Sequence, residues 1–273
     1  MPEPMAQAEV LAKPASTFDA QASHYDARVG LPESVSAAVA RAIVEQANAG
    51  PGDLVLELGA GTGEIGVHLA RLPVRYVCLD SSPAMLDVFQ AKADLDSSSL
   101  IVADGNQPWP LPGGSTAAVF ASRVIHLLHP DHVVRETFRV CRSGGVLLLG
   151  RVLREPDSLK ERLRRRRQEL LIEAGISPRQ GEAGTRRVID GVVALGGESL
   201  GRREVAVWGG EISPAQVISG WETLSRMGSV AVDPVMRTAI LEALRHWARS
   251  AFGDLDRAEA FHERYAIDIV RLP

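Results

Sequence analysis

Apolar residues recur along this chain in short blocks, and the stretches between the blocks carry helical spacing. Blocks near 53–58, 74–80, 99–103, 116–121 and 145–150 read as buried strands, while 64–71, 83–93 and 130–141 read as helices. Such alternation predicts parallel strands joined by right-handed crossovers, with helices on both faces of one doubly wound α/β sheet. Upstream, Val35, Val39, Ala42 and Ile43 share one helical face, and Gly50-Pro51-Gly52 ends that helix. Residues 1–15, rich in Pro, Ala and polar groups, predict a mobile tail.

Beyond the fifth block the pattern loosens. Leu159, Leu163, Leu170 and Ala174 predict an amphipathic helix over 155–175. Its run Arg164, Arg165, Arg166 and Arg167 spreads around the cylinder and predicts a solvated face, not a nucleic-acid stripe. A glycine-rich connection over 181–201 leads to REVAVWGG as a sixth strand, and YAIDIVRLP reads as a seventh. Helices are expected near 213–227 and 233–250, where Val217, Trp221 and Leu224 need a packing surface. The expected division is a tail at 1–15, a core at 16–210 with 262–273, and a helical insertion at 211–261. That insertion and the N-terminal helices would cap the open end of the core.

Composition narrows the partners. A chain of 273 residues suits one α/β core with an added subdomain. Net charge of -4 gives no general attraction to nucleic acid or anionic lipid, so a polyanion is not the expected partner. There is no apolar run of the roughly 20 residues a membrane span requires, and MPEPMAQAEV has no signal-peptide character, so a cytoplasmic protein is expected. Cys78 and Cys141 suggest neither a disulfide framework nor a zinc site. Pro130 interrupts the segment carrying His126, His129 and His132, which argues against a shared metal.

The densest chemistry lies in VLELGAGTGEIGVHLA, residues 54–69, where a buried strand feeds a glycine turn that opens onto a helix. Gly59, Gly61 and Gly63 permit a sharp bend and close ligand approach, and helix amides can face an anionic group. Glu57 completes ExGxGxG, while Gly61, Gly63 and Gly66 also satisfy GxGxxG. Acids end the next two strands, Asp80 in RYVCLDSSPAML and Asp104 in LIVADG. A dinucleotide fold accounts for Asp80 but supplies no reason for Asp104.

Residues 18–150 resemble the class I S-adenosylmethionine (SAM) dependent methyltransferases, their core being similar to the quinone-biosynthesis members. The resemblance implies a seven-strand, mostly parallel, Rossmann-like sheet with an antiparallel last strand, and SAM as cofactor. It places Glu57, Gly59, Gly61 and Gly63 around the methionyl part, and Asp80 with Ser81 on the ribose diol. Met85 would pack on adenine, with Asp104 and Gly105 at the adenine edge. VFASRVIHLLHP resembles the fourth motif, putting Ser122 under the sulfonium, Arg123 beside the acceptor, and His126 as general base. FDAQASHYD resembles a lead-in whose tyrosine, Tyr25, closes over cofactor and acceptor. Trp221 is a candidate pocket wall. Carbon and oxygen acceptors are favoured over nitrogen. An NAD(P)-dependent oxidoreductase using GxGxxG, and a nonenzymatic SAM- or nucleotide-binding regulator, remain open as alternatives.

Overall fold

β1 (Leu54–Leu58) is buried at every position, as a strand covered on both faces must be, and its LVLEL sequence carries only one polar side chain, Glu57. The computed structural model describes residues 19, 22, 30–93, 99–177, 181–222, 226–227 and 230–273. β1 pairs in parallel with β2 (Arg75–Asp80) and β4 (Thr116–Ser122); β3 (Leu100–Val102) and β5 (Cys141–Arg154) extend the sheet outward. β9 (Glu259–Arg271) lies between β5 and β6 (Glu198–Ile212), antiparallel to both, giving the order β3-β2-β1-β4-β5-β9-β6. The expected antiparallel last strand is present. Its place inside the sheet separates this order from the 3-2-1-4-5-6 arrangement of the dinucleotide folds.

Strand order reverses between β1 and β4, so the chain leaves their carboxyl ends toward opposite faces of the sheet and a crevice opens there. Helices α1 (Glu33–Gln46), α2 (Gly66–Leu69) and α3 (Pro83–Lys92) cover one face. Val39 and Ile43 of α1 are wholly buried beside Val55, Phe120 and Ile269. This corrects the expectation that N-terminal helices belong to the cap: α1 is part of the core. α4 (Pro130–Val140) and α6 (Gly181–Ala194) cover the opposite face through Val133, Val188 and Val192. The predicted tail at 1–15 and Tyr25 lie outside the described residues.

Much of the predicted glycine-rich connection is therefore helix. Glycine is tolerated within α6 because it permits close packing: a Cβ at Gly191 would stand 2.8 Å from Val134 of α4. The predicted helix at 213–227 is shorter than expected, spanning only Pro214–Ser219 (α7). Ser213 and Gln216 form its capping box, and a small pairing of β7 (Arg226–Met227) with β8 (Val230–Ala231) follows. α8 (Pro234–Phe252) starts where the Asp233 side chain accepts from the Val235 and Met236 amides.

α5 (Leu159–Glu173), α7 and α8 share a third apolar core, with Leu163, Leu171, Ile218 and Leu244 buried together. The insertion's packing surface is thus α5, the helix following β5. β5, β9 and β6 run on past the ends of the parallel strands, pairing Arg154 with Glu263 and Glu263 with Trp208. That extension carries the sheet toward the α5–α7–α8 layer. A wide cavity lies between them.

Candidate active site

A cleft of about 330 Å3 opens at the carboxyl ends of β1, β2 and β4. It gathers most of the residues chosen from sequence: Glu57, Gly59 and Gly61 from the glycine turn, Asp80, Ser81 and Met85 after β2, and Asp104 and Gly105 after β3. Ser122, Arg123 and His126 complete it from β4 and the loop beyond. The three motif glycines do different work. All have positive φ, at +66°, +56° and +79° for Gly59, Gly61 and Gly63. An added Cβ at Gly59 would lie 2.5 Å from Val124, and at Gly63 it would strike the Phe89 ring at 2.2 Å. At Gly61 it would meet nothing within 4 Å. Gly61 alone of the three therefore presents open backbone to the cleft. Gly63 packs against Phe89 and so seats the turn on α3.

Asp80 joins the turn to β2. Its carboxylate accepts from the Gly61 amide at 2.8 Å and from the Ser82 amide at 2.9 Å. Burial raises its pKa, and those amides pull the other way. Ser82 caps α3 by accepting from the Met85 amide, and its hydroxyl donates to Asp19 at 2.5 Å. Asp19, one residue of FDAQASHYD, is thereby held at the start of α3. Met85 is buried, while Asp104 is exposed and accepts from the Asn106 amide at 2.9 Å.

Glu57 is the most perturbed acid of the cleft. It is buried, and desolvation drives its pKa up from 4.5 to about 8, helped by Glu64 and Asp80 and opposed by the Tyr76 hydroxyl, which donates at 2.5 Å. Tyr76 and Tyr265 were not foreseen. The Tyr265 hydroxyl lies 2.6 Å from Ser122 Oγ, so β9 holds the end of β4. Gly150 makes room for it, since a Cβ there would sit 2.1 Å from that hydroxyl. Arg123 has φ +56°, an unusual value for a side-chain-bearing residue, and its guanidinium is bound to Glu64, which also accepts from the Leu31 amide. Glu64 belongs to the glycine turn itself, whereas only the fold brings Leu31 and Tyr265 to its neighbourhood.

His126 lies in a short 3-10 helix, Ile125–Leu127, and borders both this cleft and the larger cavity of about 1230 Å3. His129 begins α4, and His132 faces the Gln107 carbonyl at 2.9 Å. Trp221 lines the larger cavity, with the Arg167 guanidinium 4.1 Å from its ring centroid. The arginine run is not one solvated face: Arg165 is exposed and Arg166 binds Glu169 and Glu173, but Arg164 and Arg167 turn into the cavity.

Residues 55–145 match the family model described as a methyltransferase domain. An uncharacterized methyltransferase of Mycobacterium tuberculosis is 36% identical over 93 residues, covering 34% of this chain and 37% of that protein. The malonyl-[acyl-carrier protein] O-methyltransferase of Serratia marcescens is 30% identical over 135 residues, covering 49% of this chain and 50% of that one. The matches thus span half or less of these relatives' lengths. A solved structure of a candidate type II methyltransferase from Anaeromyxobacter dehalogenans covers 90% of this chain and 99% of its own, with TM-score 0.58 and 20% identity, which establishes likeness of fold. The finer resemblance to quinone-biosynthesis enzymes is not carried by these matches. Motif, sheet order and matched segment agree on a methyltransferase domain over residues 55–145, set in a sheet of the kind found in the solved methyltransferase structure.

Proposed function

We propose that this protein transfers a methyl group from SAM to a small-molecule acceptor. The observation that carries the reading is the junction of two cavities. The smaller holds the glycine turn and both strand-end acids, the larger is bounded by the cap, and Arg123, Val124 and His126 border both.

The residues fit the cofactor. Gly61 leaves open backbone where a side chain would intrude, and a cleft of this size falls in the small-molecule range. Glu57 offers its carboxyl to the amine, Asp80 and Ser81 offer acceptors to a vicinal diol, and Asp104 with Gly105 serves the adenine edge. Met85 contributes an apolar surface and Ser122 sits at the strand end. SAM when bound supplies an electrophilic methyl on a sulfonium. The protein's work is then to align the acceptor and exclude water, worth on the order of 7–11 kcal/mol through orientation alone. His126 is the general base for acceptors that must lose a proton; oxygen and carbon acids need one, whereas a neutral amine does not.

Residues 211–261 form the cap in this reading and the remainder the SAM-binding core, with Tyr25 in the lead-in closing over the site. Calorimetric titration of the full chain with SAM and with NAD is the direct test. Saturable SAM binding without NAD binding is expected. The reverse preference would refute the proposal and favour an oxidoreductase, and SAM binding without turnover across a metabolite pool would favour a regulator.

A further inference from the structure

α5 turns Lys160, Arg164 and Arg167 into the larger cavity, at positions i, i+4 and i+7 and hence on one helical face. β5 adds Arg151 and Arg154, and Arg123 stands at the junction with the first cleft. Five of these six cations are matched by carboxylates. Arg151 meets Asp268 at 2.8 Å, Arg154 and Lys160 share Glu263 at 2.5 and 3.1 Å, Arg164 is held by Glu161, and Arg123 by Glu64.

Arg167 differs. Among the described residues no carboxylate comes within 4.0 Å of its guanidinium, and its Nε is shut off from solvent without a hydrogen-bond partner. Among the described residues, the Trp221 ring is its favourable neighbour. Burial, aided by the like charge of Arg164, lowers its pKa to about 10, so it is still a cation at neutral pH. A desolvated and unpaired guanidinium is costly to keep, and its planar fork of donors suits a carboxylate or a phosphate. The cavity supplies the room for such a group and leads back to His126.

We propose that the acceptor is an acidic small molecule whose oxyanion, a carboxylate or a phosphate, docks on Arg167 beside Trp221 while its reacting end lies at His126. The proposal rests on the methyltransferase reading for the role of the bound molecule, not for the anion site itself. Arg167 thereby selects charged acceptors over neutral ones, and the five paired cations keep the cavity polar without competing for the same anion.

The test is titration of the full chain with malonate, inorganic phosphate and neutral malonamide, followed by calorimetry and tryptophan fluorescence, with and without S-adenosylhomocysteine. Saturable binding of malonate or phosphate, and none of malonamide, is expected; the anion that binds identifies which oxyanion the site takes. Arg167→Met should weaken it by about tenfold or more, while Arg165→Gln, on the exposed side of the helix, leaves it unchanged. Arg167→Lys, which keeps charge and stem but not the fork, secures the result should the methionine variant fail to fold: a loss of about threefold or more supports the site. Failure of both anions to bind, or equal affinity in the Arg167 variants, overturns the proposal. Loss of S-adenosylhomocysteine binding alone would strike at the methyltransferase reading and leave the anion result standing.

Discussion

Glu57 sits at the floor of the glycine turn with its carboxyl out of water, and a pKa of about 8 keeps it protonated at pH 7. In the unfolded chain the same group titrates near 4.5. Between those values the native state binds more protons than the unfolded state, so the slope of unfolding free energy with pH is negative. The contribution is constant below about 4.5, falls by about 1.4 kcal/mol per pH unit above it, and levels off beyond about 8. Over the full interval the loss is about 5 kcal/mol, comparable with the whole stability of many domains. Glu57→Gln removes the titration while keeping an acceptor for Tyr76. The stability difference between variant and wild type should therefore move in the variant's favour by several kcal/mol from pH 5 to pH 8, as measured by urea unfolding at each pH. A difference that stays flat would refute the buried neutral carboxyl.

The same group makes ligand binding pH-dependent. At pH 7 a pKa of about 8 leaves Glu57 about nine-tenths protonated. A bound ammonium would draw the proton off, so SAM uptake should release close to one proton and tighten about tenfold per pH unit from 6 to 7. Calorimetry in buffers of different ionisation enthalpy reads that number, and Glu57→Gln should abolish it. Proton release that persists in the variant would assign the effect to another group.

Asp80→Asn retains one acceptor oxygen where the carboxylate accepted two backbone amides, and SAM affinity should fall by about 10- to 100-fold in calorimetry; unchanged affinity in a folded variant would remove Asp80 from the site. Asp104→Ala should weaken adenosyl ligands by about tenfold with no change in melting temperature, since this side chain is exposed; equal binding would restore it to a simple turn residue. His126→Ala should lower turnover on a protonated acceptor by about 10²- to 10⁴-fold with SAM affinity preserved, and a small rate change would exclude a general base. Gly61→Ala should cost about 1–2 kcal/mol for its left-handed backbone yet block ligand binding, whereas Gly63→Ala adds the Phe89 collision and should destabilise further; equal denaturation midpoints would contradict their different surroundings.

What the sequence discloses here follows from how local each signal is. β1, its glycine turn and the acids ending β2 and β3 are legible because a fully buried strand, a forced positive φ and a strand-end carboxylate each leave a mark within a few residues. Gly63 shows the limit of that reasoning. Its residue type announces a special backbone, but whether the glycine faces ligand or Phe89 depends on where α3 docks. Tyr265 is silent for a stronger reason: it reaches Ser122 across 143 positions, through an antiparallel pairing that no periodicity encodes.

The arginines of α5 show how a correct local argument gives a wrong environment. Four consecutive helical residues do spread around a cylinder, and on a helix with one buried stripe most of them would be solvated. α5 instead has two neighbours. Leu163 and Leu171 face α7 and α8 in the cap, while Lys160, Arg164 and Arg167 face the extended ends of β5, β6 and β9 across the cavity. Splitting the run between Glu169 and Glu173 on one side and the cavity on the other turns a solubilising sequence into a site component. The insertion between β6 and β9 contributes to this, because its Trp221 ring lies against the Arg167 guanidinium, whose Nε is shut off from solvent. Trp221→Ala should therefore return Arg167 to solvent and reduce its preference for a bound anion.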